Sequence, residues 1–355
     1  MSSKKRSHHI AGAAADAAAG AGSSTTRTLW VISDGTAGMR FQALALAAGL
    51  SAARQSIDAG CDEFIVTPPP VLRHMPRLAR WLPPASLLRM LARRCPQLPL
   101  SVGFPDLIIT CGRRMAGLSM ALRRLAGGSG CRTIHIQDPR LPANRFDILI
   151  VPRHDPTRGP NVITTMASLN RLTTETIEAA AQKLDAKWTA LPTPRVAVLL
   201  GGDNRRYRIS DDMADDMAQR LAAFATASGA SLALIPSPRT PPTVIQRLLQ
   251  RLGGARIAIA AAEDANPYPG ILGAADAIVV TSDSVNMASE AALTGKPLLI
   301  AAWREETGRI AAFHQAMMMA GHSAPLGHDL PSTSFTPLDE MPDIIARIDQ
   351  LLGDG

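Results

Sequence analysis

The sequence predicts an α/β protein built from two parallel-sheet domains in tandem. The chain has 355 residues, 46% of them hydrophobic and 19% charged, which is long and apolar enough for two globular cores. Short apolar runs alternate with helical patterns, as expected for parallel sheets that are covered on both faces. The alternation stops at two prolines in LPTPR (191–195) and then starts again, which indicates a linker.

The first domain is predicted over residues 28–190. The preceding stretch, 1–27, is rich in Ala, Gly and Ser and poor in large apolar residues, so we expect a disordered tail there. The predicted strands of the domain are 29–32, 62–67, 105–110, 132–137 and 147–152, and its predicted helices are 42–50, 115–125 and 173–187.

The second domain is predicted over residues 195–345. Its predicted strands are 195–200, 231–236, 256–261, 276–281 and 297–302, and its predicted helices are 211–226, 240–252 and 284–294. Ligands of open parallel sheets bind outside the carboxyl ends of the strands. Residues that directly follow a strand are therefore the candidates for function.

The composition disfavours several classes of protein. No apolar run approaches the ~18 residues of a membrane-spanning helix, and the amino-terminal stretch lacks the apolar core of a signal peptide. Four cysteines, at positions 61, 95, 111 and 131, fit neither a paired zinc motif nor a CxxC motif, so we expect free thiols. These observations predict a cytoplasmic protein without a metal site.

Positive charge is concentrated in the middle of the chain. Residues 28–185 carry 19 basic and 11 acidic side chains, whereas residues 186–355 carry 14 and 18. A basic surface suits an anionic partner, and a solvated basic face is the alternative. Within 71–95, six arginines stand among leucines and Trp81, a composition typical of an interfacial membrane segment. The anionic inner face of the membrane is thus a candidate partner of residues 71–95. The alternative is that this segment is a surface helix packed on its own domain.

The loop after the first strand is a candidate anion site. It contains Asp34, Gly35 and Gly38 and leads into a helix. Glycines allow positive φ angles and close backbone approach, and a helix N-terminus offers free N–H groups to an anion. The loop lacks the third glycine of a dinucleotide fingerprint, and a tight turn without ligand is the alternative.

Two loops of the second domain carry similar signals. Gly201-Gly202-Asp203 and Arg205 follow the strand 195–200, where backbone amides and a guanidinium group can meet a phosphate. Ser282-Asp283-Ser284 follow the strand 276–281, and Ser284 is expected to cap a helix. Glu290, among small residues of that helix, can accept two hydrogen bonds from a ribose diol. Plain turns and a solvated glutamate are the alternatives.

Polar residues also follow two strands of the first domain. Asp138 and Arg140 come after the strand 132–137, and His154 and Asp155 come after the strand 147–152. Polar loops rich in proline at such positions are typical of functional sites. His154 is a candidate general base, and a structural histidine is the alternative.

Six stretches in order resemble the mitochondrial-fission Elm family, and the similarity covers about residues 28–345. They are SDGTAGMRFQALALA (33–47), PDLIITCGRR (105–114), IQDPR (136–140), FDILIVPRHD with GPNV (146–155, 159–162), LLGGDNRRYR (199–208) and TSDSVNMASEAALTGKP (281–297). That family looks like the GT-B glycosyltransferases, in which two Rossmann-like domains face each other across a cleft and the second domain holds the nucleotide sugar.

The resemblance implies roles for particular residues. Gly201 and Gly202 match the turn on the diphosphate side, Ser282 and Ser284 match the loop beneath the donor, and Glu290 matches the ribose-binding carboxylate. We also expect Asp203, Arg205 and Asp283 to take part in donor binding, and Gly35, Gly38, Gln42, Asp138 and Arg140 to lie on the acceptor side of the cleft. Many relatives carry His at the position of Met39. The catalytic groups would therefore be Asp34, His154 or Asp155.

The resemblance also implies an activity. We expect a nucleoside diphosphate sugar as co-substrate, with no other cofactor, no nucleic acid partner and a membrane-associated acceptor. The sequence contains no D-x-D triplet, in agreement with a metal-independent scheme. A non-catalytic nucleotide-binding or recruiting module is the alternative. A short-chain epimerase fits poorly, because neither Tyr207 nor Tyr268 is followed by Lys at the spacing Tyr-x-x-x-Lys.

Deletion of residues 1–27 is expected to leave the melting temperature and ligand binding unchanged, because the stretch has little apolar surface to bury. Thermal melting of the full chain beside a chain that starts at Thr28 measures this. A melting temperature several degrees lower in the shortened chain would show that the tail packs on the body.

Overall fold

The computed structural model describes residues 28–54, 61–204, 206–253, 256–260 and 266–353. They form two six-stranded sheets whose strand pairs are all parallel. The predicted α/β class with two parallel-sheet domains is confirmed. The expected tail, 1–27, and Arg205 lie outside the described residues.

Each sheet uses consecutive strands of one half of the chain. The first sheet contains β1 (Leu29–Ser33), β2 (Cys61–Ile65), β3 (Leu107–Cys111), β4 (Arg132–Ile136), β5 (Ile148–Pro152) and β6 (Val162–Thr165), in the order β2-β1-β3-β4-β5-β6. The second contains β7 (Arg195–Leu200), β8 (Ser231–Pro236), β9 (Ile257–Ile259), β10 (Ala277–Thr281), β11 (Leu298–Ala301) and β12 (Ala324–Pro325), in the order β12-β11-β10-β7-β8-β9.

Helices connect the strands. They are α1 (Ala37–Ala53), α2 (Pro70–His74), α3 (Pro84–Arg94), α4 (Ala116–Leu125), α5 (Thr174–Ala181), α6 (Ala186–Thr189), α7 (Asp211–Ser228), α8 (Pro242–Leu252), α9 (Tyr268–Ala274), α10 (Val285–Ala292), α11 (Gly308–Met319) and α12 (Met341–Gly353). Three short 3-10 helices cover Pro76–Arg80, Arg113–Met115 and Ala143–Arg145.

Most predicted elements are present, with three kinds of difference. The first helix begins at Ala37, not at Gln42. The predicted helix 173–187 is split into α5 and α6, because the Asp185 side chain accepts a hydrogen bond from the Lys187 N–H and caps a new helix. The strands β6 and β12 and the helices α9, α11 and α12 were not predicted.

The strands are apolar throughout because both faces of each sheet are covered. In β1, Trp30 and Ile32 belong to the core on one face, whereas Leu29 and Val31 belong to the core on the other. All four side chains are buried. The continuous apolar runs in the sequence follow from this arrangement.

Helix packing crosses the division between the two halves. Helix α12 packs on α1, and Ile345 and Ile348 enter the core of the first sheet. A Cβ atom on Gly49 of α1 would lie 2.9 Å from the Met341 sulfur, so glycine permits this contact. In the opposite direction, α5 packs on α9, and Ile177 enters a core of the second sheet. The domain bounds 28–190 and 195–345 stay a prediction. Helices α5 and α12 each pack on the domain to which these bounds do not assign them.

The segment 71–95 forms short helices on the surface of the first domain. Helices α2 and α3 and the 3-10 helix between them pack against α4, with Leu72, Leu87 and Leu91 buried. A Cβ atom on Gly117 of α4 would lie 2.2 Å from the Leu72 carbonyl oxygen, so this packing is close. Within the described ranges, no helix has the length and apolar character needed to cross a bilayer.

His135 is a fully buried histidine inside the first sheet. Its ring nitrogen Nδ1 is 2.8 Å from the Thr110 hydroxyl, its Nε2 has no hydrogen-bond partner, and its ring lies 5.2 Å from that of Phe146. Burial lowers the pKa of His135 to about 3. The imidazole is therefore neutral in the folded protein at neutral pH.

The stability of the protein is expected to fall as the pH falls below about 6.5, because His135 then binds a proton only in the unfolded chain. The maximum slope for one such group is about 1.4 kcal/mol per pH unit. Urea unfolding between pH 7 and pH 4 measures it. His135→Gln, which does not titrate, should show a shallower decline, and identical slopes would contradict this role.

Candidate functional site

Both sheets contain a point where the strand order reverses. In the first sheet it lies between β1 and β3, and in the second between β7 and β10. Connections leave in opposite directions there, which opens a crevice at the carboxyl ends of the strands. The loops at 34–36 and 112–113 flank the first crevice, and those at 201–204 and 282–284 flank the second.

A cavity of about 260 Å³ lies between the two domains. The first domain contributes Gln42, Arg113, Asp138, His154 and Asp155, and the second contributes Asn286, Arg309 and Phe313. A Cβ atom on Gly38 would lie 3.4 Å from the Asn286 amide nitrogen, so the first turns of α1 and α10 meet beside this cavity. Four residues that the sequence singled out, Gln42, Asp138, His154 and Asp155, therefore share one site.

Two larger cavities lie away from this edge. One, of about 660 Å³, is at the amino ends of β1, β3 and β4, where Thr28, Asp106 and Arg132 line it. The other, of about 710 Å³, is a groove between α1, residues 167–175 and the start of α12. The first lies at the opposite edge from the carboxyl ends of the strands, where open parallel sheets bind their ligands. The second extends away from the cavity between the domains and shares only Ala167, Ser168 and Leu169 with it.

Asp138 is held in the cavity wall by one of its two carboxylate oxygens. Its Oδ1 accepts hydrogen bonds from the Arg140 N–H at 2.7 Å and the Thr157 hydroxyl at 2.9 Å. The loop reaches this shape with positive φ angles at Gln137 (77°) and Arg140 (53°). Such angles in non-glycine residues cost energy and cluster at functional sites. Among the described residues, Oδ2 has no donor, so it is available to a ligand.

Asp155 is paired across the cleft. Its Oδ1 lies 3.0 Å from Nη2 of Arg309, at the start of α11 in the other domain. That oxygen is buried and has no hydrogen bond of good geometry. Arg113 lies near both carboxylates, and no carboxylate of the described residues lies within 4 Å of its guanidinium. Burial, Arg309 and Arg140 lower the pKa of Arg113. Two cations and two carboxylates thus surround one cavity.

His154 and Asp34 occupy different positions. His154 lines the cavity half-buried, and burial lowers its pKa, so the ring is neutral at neutral pH and able to accept a proton. Asp34 accepts a hydrogen bond from the Thr36 N–H at 3.0 Å and lies 3.7 Å from Arg114. Asp34 and Gly35, whose φ is 78°, belong to the turn before α1 and do not line the cavity.

Met39 stands where the resemblance to the Elm family leads us to expect a histidine. Its sulfur lies 3.8 Å from the Cys111 sulfur, and a Cβ atom on Gly112 would lie 3.0 Å from it. The side chain thus packs on the end of β3. Burial raises the pKa of the Cys111 thiol well above its usual range, so neither side chain offers a base.

In the second domain, Asp283 joins two loops. Its carboxylate accepts hydrogen bonds from the Gly202 N–H, the Thr281 hydroxyl and the Trp303 indole at 2.9 to 3.1 Å, and Arg239 lies 3.1 Å away. The side chain is fully buried. Because protein donors occupy both of its oxygens, Asp283 holds the loops together.

The glycine pair has a steric explanation. The Gly201 N–H donates to the Thr281 hydroxyl at 2.7 Å and the Gly202 N–H donates to Asp283, so both amides are engaged within the protein. A Cβ atom on Gly201 would lie 2.1 Å from Asp283, and one on Gly202 would lie 2.0 Å from the Arg239 carbonyl oxygen. Only glycine fits at both positions. Donor binding by this loop stays a prediction. It would have to use groups other than these two amides, because both already donate to protein atoms.

A second buried carboxylate, Glu306, was not predicted. It accepts hydrogen bonds from Ser282 and Tyr207 at 2.9 and 3.1 Å and pairs with Arg206 at 2.6 Å. The Ser282 carbonyl oxygen lies 2.7 Å from Nε2 of His314. Ser282, expected to lie beneath a donor, thus connects β10 to the loop after β11. No motif marks Glu306, which stands after Glu305 in a polar stretch.

The remaining predicted donor residues form local structure. Ser284 caps α10, as expected, by accepting a hydrogen bond from the Met287 N–H. Asp203 accepts a hydrogen bond from the Ile209 N–H at 2.9 Å and shapes the loop after β7. In the part of the chain that is described, no group of three His, Cys, Asp or Glu side chains is placed to hold a metal ion.

Glu290 is not a solvated glutamate. Its Oε2 accepts a hydrogen bond from the Tyr268 hydroxyl at 2.5 Å, and Oε1 has no partner among the described residues. Burial raises the pKa of Glu290, and burial together with Glu290 raises the pKa of Tyr268. Glu290 follows Asn286 by four residues, so both lie on the same face of α10. One oxygen is fixed and the other is free to accept hydrogen bonds.

Asp283→Ala is expected to lower the free energy of unfolding by about 3 kcal/mol or more, because it leaves buried donors without an acceptor. Chemical denaturation measures the change. Asp216→Ala, which removes an exposed carboxylate paired with Arg220, should change it by less than about 0.5 kcal/mol. Equal effects of the two substitutions would show that the buried network does not matter.

Comparison with protein families and curated proteins identifies relatives of this chain. The model of the family described as mitochondrial fission ELM1 matches residues 37–352. Mitochondrial fission protein ELM1 of Arabidopsis thaliana is 30% identical over 271 residues, which are 69% of this chain and 63% of that protein. The match therefore spans less than two thirds of the Arabidopsis protein. An uncharacterised protein of Rickettsia prowazekii, RP120, is 28% identical over 307 residues, 77% of this chain and 82% of that protein.

Solved structures of low sequence identity share the fold. UDP-GlcNAc 2-epimerase from Methanocaldococcus jannaschii matches with a TM-score of 0.55 and 12% identity, over 92% of this chain and 100% of that chain. MurG from Acinetobacter baumannii matches with a TM-score of 0.50 and 13% identity, over 92% of both chains. The expected GT-B fold, with two α/β domains facing each other across a cleft, is confirmed.

Proposed function

The chain belongs to the mitochondrial fission ELM1 family, and we propose that it binds a nucleoside diphosphate sugar and transfers the glycosyl group to a membrane-associated acceptor. The observation that supports this most strongly is the cavity between the carboxyl ends of the two sheets, where Asp138, Asp155, Arg113 and Arg309 converge. We propose no cofactor other than the nucleotide sugar and no nucleic acid partner. The proposed location is the cytoplasm.

The second domain would hold the nucleotide. Glu290 offers one free carboxylate oxygen, and Tyr268 fixes the other. The free oxygen has two lone pairs and can accept a hydrogen bond from each hydroxyl group of a ribose diol. Arg113 and Arg309 would face the diphosphate or an anionic acceptor, because guanidinium groups recognise phosphate oxygens.

The transfer step would use the carboxylates of the first domain. The acceptor hydroxyl oxygen forms a bond to the anomeric carbon of the sugar, and the bond between that carbon and the diphosphate oxygen breaks. The bonding electron pair leaves with the diphosphate, whose charge the arginines stabilise. Asp138, with its free Oδ2, Asp155 or the neutral His154 would take the proton from the acceptor hydroxyl.

A second candidate function is a nucleotide-binding or recruiting module without catalysis. Met39 favours it, because an apolar side chain packs where the resemblance to the Elm family leads us to expect a histidine. Turnover of nucleotide sugars by the purified chain separates the two candidates. Hydrolysis or transfer that is lost in Asp138→Asn supports the enzyme, and binding without turnover supports the module.

The same turnover assay also tests for epimerisation of the nucleotide sugar. The lack of a Tyr-x-x-x-Lys pair in the sequence disfavours only the short-chain type of epimerase. The 2-epimerase of Methanocaldococcus jannaschii has the fold of this chain, and its name gives UDP-GlcNAc as its substrate. UDP-GlcNAc is therefore a suitable first probe, and the sugar product identifies which reaction occurs.

Glu290→Gln is expected to weaken the binding of the nucleotide at least tenfold, because hydrogen bonds to a charged acceptor contribute ~1.5–3 kcal/mol. Titration calorimetry with uridine and guanosine diphosphates measures the affinity. Glu178→Gln, an exposed change of the same kind on α5, should leave it unchanged. Unchanged affinity in Glu290→Gln, with wild-type melting, would contradict the ribose assignment.

A further inference from the structure

We propose that the outer face of α2, the 3-10 helix Pro76–Arg80 and α3 docks the protein on an anionic lipid bilayer. We call this surface the arginine face. It combines basic side chains without acidic neighbours in sequence, exposed apolar side chains and a position beside the cleft.

The arginine face carries charge that the protein does not neutralise. No Asp or Glu occurs between Glu63 and Asp106, and six arginines lie in that interval: Arg73, Arg77, Arg80, Arg89, Arg93 and Arg94. Within the described ranges, none of the six forms an ion pair within 4 Å or a side-chain hydrogen bond, whereas several arginines elsewhere are paired with carboxylates. A basic surface of this kind is attracted to anionic lipid headgroups.

Large apolar side chains lie among these arginines and point away from the core. Trp81 is 72% exposed, Met75 58% and Leu88 41%. The Arg80 guanidinium lies 4.9 Å from the Trp81 ring centroid, which places a cation beside an aromatic ring at the surface. Tryptophan and arginine side by side are typical of helices that lie in the interface of a bilayer.

The inner side of the segment is already occupied, so the outer side is the free one. Leu72, Leu87 and Leu91 are fully buried against the first domain. Arg124 of α4 donates to the carbonyl oxygens of Ala79 and Leu82, the latter at 2.9 Å, and fixes the chain between the two helices. The exposed apolar side chains therefore cannot turn inward without breaking this packing. Docking would use the segment as it is folded, by lying on the bilayer.

One end of the arginine face, helix α2, lies beside the cleft. Helix α2 begins five residues after the carboxyl end of β2 and contacts the 3-10 helix Arg113–Met115. Arg113 itself lines the cavity between the domains. A protein docked in this way holds the first domain's side of the cleft close to the lipid headgroups. That is where a membrane-borne acceptor would have to enter.

Sedimentation of the full chain with vesicles tests the proposal. Vesicles that mix phosphatidylglycerol with phosphatidylcholine should carry the protein into the pellet at low salt, and vesicles of phosphatidylcholine alone should not. High salt should weaken the binding, because the attraction decays over ~8 Å at physiological ionic strength. No nucleotide is present, so the outcome is independent of the proposed donor binding.

Matched variants locate the surface. Arg89→Gln with Arg93→Gln should weaken vesicle binding roughly thirtyfold, and Trp81→Gln should weaken it about tenfold or more, with unchanged melting. Arg251→Gln with Arg256→Gln, an equal loss of charge from the exposed surface of the second domain, should have little effect. Equal losses in both pairs would mean that net charge alone drives binding and would overturn the proposal.

Two further results would also overturn it. One is wild-type protein that stays in the supernatant with the mixed vesicles at low salt. The other is binding of a single-stranded polynucleotide by the arginine face when the vesicles are not bound, which would assign the face to a soluble polyanion.

Discussion

The cleft depends on how the chain crosses between its two sheets. After β6 the chain leaves the first sheet, and the carboxylate of Glu340, just before α12, accepts hydrogen bonds from the N–H groups of Met166 and Ala167 at 2.8 to 2.9 Å. The next N–H, of Ser168, donates to the Ser289 hydroxyl of α10 at 3.0 Å. One carboxylate thus connects the outward crossing to the returning one. Because α10 is tied to the same crossing, the carboxyl ends of the two sheets face each other and line a common cavity.

Local sequence patterns were sufficient to identify several of the residues that line the cavity between the domains. Strands buried on both faces appear as continuous apolar runs, so the residue at which each run ends can be identified without a structure. Asp138, His154 and Asp155 were found in this way, and all three line the cavity. The cap at Ser284 could also be predicted, since a hydroxyl before a helix satisfies a free N–H in any context.

Interactions between distant residues could not be predicted in this way. Arg309 reaches Asp155 from α11, a helix that has no clear apolar periodicity and that only the docking of the two domains brings to the cleft. Asp283 stands in a turn whose sequence, Ser-Asp-Ser after a strand, is typical of a ligand-binding loop. In the structure, hydrogen-bond donors from the loop after β7, from β10 and from the loop after β11 surround its carboxylate and bury it. Burial is a property of the assembled protein. An aspartate that binds a ligand and an aspartate that holds a loop therefore cannot be told apart from the sequence.

The packing of α12 on α1 has a consequence for synthesis of the chain. The first sheet is complete in sequence at Thr165, but Leu46, Leu50 and Ile109 share their core with Ile345 and Ile348 of the last helix. While the ribosome makes the second half, that apolar surface has no permanent cover. Partly folded chains with exposed apolar surface are prone to aggregate. The amino-terminal domain, although translated first, therefore cannot complete this core until α12 has been made.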